Sequence, residues 1–249
     1  MTTTETALIV GGGPGISASC ARLFRAQGMR VVVAARNIDK PALQMLRDDA
    51  GVTLIPCDAA DAVSVATLFS RTKELVGAPR LVVHNIDGRP ADAFRKTITE
   101  VSTDAFHTTL LNSTFSAFLV GQQAAKAMLE LEAREGHRGT ILFTNASAAF
   151  KGFPRSGAFA AASHGKAGLA ESMARELMPQ GIHVAHVPID AAIGWEREDG
   201  SRAHWLAGPT ENDNMAHPDR IADLYLQLHW QHRSTWAFEV VLRPWSEKW

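Results

Sequence analysis

An α/β, doubly wound parallel sheet of about seven strands, in one domain, is the architecture this sequence predicts. Three observations carry that expectation. Short β-branched runs alternate with helix-period segments along the whole chain. The runs are apolar at nearly every position, the pattern of strands covered on both faces. The 249 residues, 46% hydrophobic and 20% charged, suffice for one large buried core. Residues 1–249 hold no Gly/Ser-rich linker, no break in composition and no solenoid-period repeat, so a single domain is expected.

Strands are predicted at residues 7–10, 31–34, 53–56, 81–84, 140–144, 183–187 and 238–242. Most of them end at or beside Gly, Pro or Asn, which stop strands or make turns. A helix over 17–27 places Ile16, Cys20, Leu23 and Phe24 at helical spacing. Another over 62–75 carries Val65, Leu68, Phe69 and Leu75. A long Ala-rich helix spans 106–131, and one over 163–178 stops at Pro179. Residues 194–214 have few apolar periods and hold Trp195, His204 and Trp205, which reads as a substrate lid.

Composition excludes several classes. Lys+Arg 25 against Asp+Glu 26 leaves a net charge of −1, so no nucleic-acid partner is expected. Cys20 and Cys57 are too few for a disulfide scaffold, which points to a reducing, cytoplasmic setting. The start MTTTETALIV lacks the basic region of a signal peptide. No apolar stretch approaches the ~18–20 residues of a membrane span, so no membrane partner is expected.

Chemistry begins at the first strand–helix turn, Gly11-Gly12-Gly13-Pro14-Gly15-Ile16-Ser17. Glycines there let the chain reverse tightly and let backbone approach a pyrophosphate, while the following helix offers free N–H groups to the anion. The spacing is neither G-x-G-x-x-G nor a Walker loop. The second strand ends in Ala34-Ala35-Arg36-Asn37, without the acid that binds the ribose 2′-OH of NAD. Arg36 can instead meet a 2′-phosphate, which favours NADP(H) over NAD(H).

Further signatures follow: Cys57-Asp58, His84-Asn85-Ile86-Asp87, Leu111-Asn112-Ser113, Asn145-Ala146-Ser147, His164-Gly165-Lys166 and Pro188-Ile189-Asp190. In these and in the glycine turn the chain resembles the short-chain dehydrogenase/reductase family from end to end. The resemblance implies a Rossmann-like fold. It also implies a cofactor site made by Gly11, Gly13, Gly15, Ile16, Arg36, Asp58, Asn85, Lys166 and Ile189. Asp58 would cap the adenine ring. Ser147, Lys166 and Asn112 would be the retained catalytic residues: Ser147 orients substrate, Lys166 holds the nicotinamide ribose, and Asn112 holds a relay water. No metal site is expected.

The family's Tyr-x-x-x-Lys is where the chain departs, because Ala162 stands four residues before Lys166. The only tyrosine, Tyr225, lies in a C-terminal helix with no lysine four residues on. The chain is most similar to a divergent branch in which Tyr is replaced while Lys remains. Lys166, directly or through water, or Ser147 as a relay, can stand in for the acid. His164 is two residues from both 162 and 166 and points to another helix face. Asp190 qualifies if burial raises its pKa.

The remaining histidines do not form a metal site. His183 and His186 face opposite sides of a strand, and His229-x-x-His232 reads as surface. The final tryptophans read either as a cap or as an interface. The resemblance implies a homodimer or homotetramer through the two long helices, with Ala124, Ala125 and Ala127 permitting close approach. The expected activity is NADP(H)-dependent reduction of a C=O, C=N or C=C bond in a small molecule, bulky or aromatic. A non-redox enzyme and a non-catalytic NADP(H)-binding protein are the alternatives.

Overall fold

The computed structural model describes residues 4–194, 200–201, 203–204, 208–209 and 213–248. The strands are β1 (Thr6–Val10), β2 (Arg30–Ala35), β3 (Thr53–Pro56), β4 (Leu81–His84), β5 (Gly139–Ala146) and β6 (Ile182–Ile189). They form one parallel sheet in the order β3-β2-β1-β4-β5-β6. The helices between them are α1 (Ile16–Ala26), α2 (Pro41–Ala50), α3 (Ala62–Val76), α4 (Thr103–Leu110), α5 (Ser116–Leu129) and α6 (Gly157–Leu177), with α7 (Pro218–Trp230) after β6. This is the doubly wound, Rossmann-like fold. A two-residue pair, β7 (Ala203–His204) and β8 (Gly208–Pro209), lies outside the sheet.

Strand alternation builds two cores. Ala7, Ile9, Val31, Val33, Leu142 and Ala185 point to one face, under α1, α2 and α7. Leu8, Val10, Val32, Ala34, Ile141 and Phe143 point to the other, under α3, α5 and α6. Because both faces are covered, all five residues of β1 are buried. Cys20 lies in the first core and Cys57 in the second, both free thiols. No described helix is long and apolar enough to cross a membrane.

The predicted seventh strand pairs with β6 but does not become a regular strand. Its rungs are His186 N–H to Phe238 O at 2.7 Å, Val240 N–H to His186 O at 3.1 Å, Leu242 N–H to Pro188 O at 2.9 Å and Asp190 N–H to Leu242 O at 2.8 Å. The missing rung is the one residue 188 would donate, and Pro188 has no N–H. Hence the sheet has six strands, not seven, with an edge segment held by isolated bridges.

Other boundaries shift for local reasons. The long helix begins at Thr103, where Ser102 caps Ala105 N–H at 3.1 Å, and a π-helical turn over Leu111–Phe115 divides it into α4 and α5. Helix α2 was not predicted, although Pro41 opens it and Gly51, at φ 62°, closes it in the left-handed conformation. His229 is buried rather than at the surface: it bonds Thr140 Oγ1 at 3.0 Å and Glu5 Oε2 at 2.9 Å. Ala124 is fully buried in the second core, and Ala125 and Ala127 are partly buried against it. Trp245 is 79% exposed, and Trp249 lies outside the described residues. Of the predicted lid over 194–214, Trp195 and Trp205 lie outside the described residues.

Candidate active site

The chain leaves β3 at one sheet edge and returns through the middle at β4, beside β1. This switch point opens a crevice at the carboxyl ends of the strands. The glycine turn occupies one wall. Gly11 N–H and Gly12 N–H both donate to Ala34 O at 2.9 Å, and Ser17 Oγ donates to Gly11 O at 2.7 Å. Gly11 has φ 107°, and a Cβ there would collide with the Asn85 carbonyl. Gly11→Ala is therefore expected to cost about 2–4 kcal/mol of stability. A denaturant midpoint equal to that of the parent would contradict this packing. Gly13 has open space where its Cβ would stand. Gly15 caps α1 without any side-chain bond, leaving the first helical N–H groups unclaimed by a cap.

Two cavities meet at Asn85, whose Nδ2 donates to Ser17 Oγ at 2.7 Å. The smaller, about 340 Å³, is lined by Gly11, Arg36, Lys40, Asp58, Asn85 and Asn112, among others. The larger, about 810 Å³, brings together Ile16, Asn85, Ser147, Lys166 and Ile189, with Asp190 and His204. Most of the sequence-predicted site residues thus line one cavity or the other. Asn112 is on the small-cavity side, where its Nδ2 donates to Gly88 O at 3.2 Å, and it does not share the cavity of Lys166.

Lys166 is 2% exposed and donates from Nζ to Ile86 O at 2.9 Å and Thr144 O at 3.3 Å. Burial pulls its pKa down to about 8, against the attraction of Asp87. The ammonium also keeps its neighbour neutral: burial first, then Lys166, hold the fully buried His84 well below the ordinary imidazole range. His84 Nε2 lies 2.9 Å from Ser116 Oγ. That hydroxyl donates to the Asn112 and Ser113 carbonyls, so the imidazole proton belongs on Nε2.

Ala162 is fully buried and does not line the large cavity; Phe159, one turn earlier, does. The sole tyrosine is equally remote. Tyr225 is fully buried in the α7 core, its hydroxyl 2.6 Å from Thr144 Oγ1, and burial pushes its pKa up. Its contribution is to brace Thr144, whose carbonyl holds Lys166. His164 is exposed and bonds Ala160 O at 2.9 Å, away from the cavity.

Asp190 does not have the raised pKa that an acid would need. Burial pushes its carboxyl up, but hydrogen bonds from Lys151 (2.7 Å) and Ser147, with the charges of Lys151 and Arg243, outweigh burial and hold it down. Sequence reasoning missed the cavity's other walls: Arg89, Phe94, Arg95, Phe153, Arg155 and Phe159. They lie in or beside connections without hydrophobic period, where the only signal was a local excess of Arg and Phe. Among the described residues, no group of three His, Cys, Asp or Glu side chains could hold a metal.

A family model described as enoyl-(acyl carrier protein) reductase matches residues 11–234. The 3-oxoacyl-(acyl-carrier-protein) reductase MabA of Mycobacterium bovis is 28% identical over 174 residues, 70% of this chain and 64% of that protein. The chain thus spans less than two thirds of that relative's length. A solved short-chain dehydrogenase from Rhodopseudomonas palustris is 29% identical, with a TM-score of 0.76 over 97% of this chain and 99% of that one. A metagenomic short-chain oxidoreductase, solved in complex with NADP, has a TM-score of 0.75 at 22% identity, over 96% and 97% of the two chains.

Proposed function

The chain belongs to the short-chain dehydrogenase/reductase family, and from that premise we propose that it is an NADP(H)-dependent reductase of a C=O, C=N or C=C bond, with Lys166 as proton donor in place of the absent tyrosine. The observation that carries this reading is the buried Lys166 ammonium, held on two backbone carbonyls and facing a cavity it shares with Ser147.

The residues present fit a dinucleotide. A Cβ at Gly11 would fill the turn, Gly13 faces open space, and Gly15 leaves the α1 N-terminus uncapped by a side chain. Arg36 and Lys40 both line the small cavity, with no carboxylate at the end of β2 to repel a 2′-phosphate. When bound, the nicotinamide supplies the hydride. The chain's residues do the rest: Asn85 and Ser17 lock the two loops together, and Thr144 and Ile86 aim the ammonium. Ser147 lines the same cavity as Lys166, where its hydroxyl would orient the substrate. A group with a pKa near 8 is well matched to giving a proton at neutral pH. Asp58 and Ile189 would contact the cofactor at its two ends, and His204 would form part of a lid over 194–214.

The test is NADPH oxidation with a panel of ketones, imines and enones. Turnover is expected, and tight NADPH binding with no turnover across the panel would overturn the reading. Arg36→Ala is expected to weaken NADPH binding by about tenfold, the worth of one charge-assisted contact, while NADH binding changes little. Equal losses for both cofactors in a fluorescence titration would remove Arg36 from the 2′-phosphate site. A non-redox reaction is the second reading, favoured by Ala162 in the position of the family's acid; substrate would then be consumed without change in nicotinamide absorbance. The buried free thiols agree with a reducing cytoplasm. Exposed Phe115 and Phe118, stacked on the α5 side, support assembly as a homodimer or homotetramer.

A further inference from the structure

We propose that the substrate carries an anionic group, a carboxylate or a phosphate ester, set apart from its reducible bond by an apolar body. This rests on the reductase reading and names the substrate class for the same site.

The charge balance of the large cavity is the first argument. Arg89, Arg95, Arg155 and Lys166 line it, against Asp87, Asp190 and Glu247. Two of the three carboxylates are already engaged. Asp87 binds Arg89 through both oxygens at 2.6 Å. Asp190 meets two cations, Lys151 at 2.7 Å and Arg243 at 3.4 Å. Glu100, whose carboxylate feels the Arg155 charge, takes hydrogen bonds from Thr97 N–H at 3.0 Å and Thr97 Oγ1 at 2.8 Å. With the Asp87–Arg89 pair set aside, the described lining residues set Arg95, Arg155 and Lys166 against Glu247 and the already engaged Asp190, a positive balance among the described residues, and a low-dielectric cleft of one sign concentrates ligands of the other.

The placement of these cations separates them from the dinucleotide phosphates. Arg36 and Lys40 line the small cavity, whereas Arg95, Arg155 and Lys166 line only the large one. Backbone strain marks the same two arginines. Arg95 at φ 57° and Arg155 at φ 61° are two of the four described non-glycine residues with positive φ. Such conformations cost about 1–3 kcal/mol each and concentrate where a side chain is held for function. One is set by the short turn after residues 91–93 and the other by Pro154, directly before α6.

The apolar body follows from the remaining wall. Phe94, Phe153 and Phe159 line the cavity. The Arg89 guanidinium lies 3.7 Å over Phe159 and 5.0 Å from the Phe94 ring, fixed by Asp87. This stack is a rigid, flat surface for an aryl or bulky apolar group. Lys166 stands in the interior and Arg95 and Arg155 on the exposed side, so the reducible bond enters first and the anion stays outermost.

The experiment titrates the NADPH-loaded full chain by calorimetry with 4-oxo-4-phenylbutanoate and with its methyl ester, and follows NADPH absorbance with both. An aryl keto phosphate ester and its neutral methyl triester form the second pair. In at least one pair the charged member is expected to bind about tenfold or more tightly than the neutral one, with the ratio falling as salt rises. Arg155→Ala and Arg95→Ala are each expected to shrink that ratio severalfold, a comparison made within one variant and therefore insensitive to partial loss of folding. Charged and neutral members binding alike in both pairs would overturn the inference whatever the turnover. A clear preference for the anion with no hydride transfer to these probes or to any member of the ketone, imine and enone panel would overturn the reductase reading and leave the anion site standing.

Discussion

Lys166→Met should lower kcat for carbonyl reduction by about 10²–10⁴-fold, the usual worth of a positioned general acid. Methionine has nearly the shape of the lysine stem, so the loss reports the ammonium rather than a cavity. The pH profile makes the assignment specific. The parent's Lys166 has its pKa pulled down to about 8 by burial. Reduction needs the protonated form, so the rate should be level below that pH and fall as pH rises through it. In Lys166→Met that limb should disappear while residual turnover stays flat. Stability should hold or rise, because the substitution removes a charge that is 2% exposed and has only carbonyl partners. A variant that keeps the limb near pH 8 would assign the proton to another group. A melted variant would show instead that the two carbonyl bonds organise the β4 and β5 ends.

The parts of this site that were legible in the sequence are those governed by local rules. Strand positions followed from apolar runs, and the glycine turn from the demands of a sharp strand–helix reversal. Asn85, Ser147, Lys166 and Ile189 were found through the family resemblance of the short motifs around them, and the structure gathers them around one cavity. What was missed depends on partners far away in the chain. His229 looked like a surface residue until Glu5, 224 positions away, and Thr140 supplied its hydrogen bonds. Asn112 carried the family's motif, and it lies in the π-turn and lines the smaller cavity. The seventh strand had the right composition, and one proline in its neighbour removed the rung that would have made it regular. Arg95 and Arg155 belong to connections, where position depends on backbone conformations that single-residue preferences disfavour.

Asp190→Ala should destabilise the fold by about 2–4 kcal/mol. The carboxylate is 4% exposed and joins three segments far apart in sequence: Lys151 after β5, its own position at the end of β6, and Arg243 in the edge segment. Alanine would leave Lys151 and Arg243 facing one another without the charge between them. Both cations are partly solvated, at 27% and 19% side-chain exposure, which keeps the cost below that of a fully buried pair. The pH dependence has a definite sign. Asp190 is held below its ordinary value in the folded chain, so its contribution is complete above the unfolded pKa of about 3.9 and is lost as pH falls through the folded value. The gap in denaturant midpoint between parent and variant should therefore be wide at pH 7 and close below about pH 4. Asp190→Asn separates charge from shape, since the amide keeps one acceptor and the volume. A loss close to that of alanine assigns the stabilisation to the charge, whereas near-parental stability would mean that the hydrogen bonds alone hold these segments together.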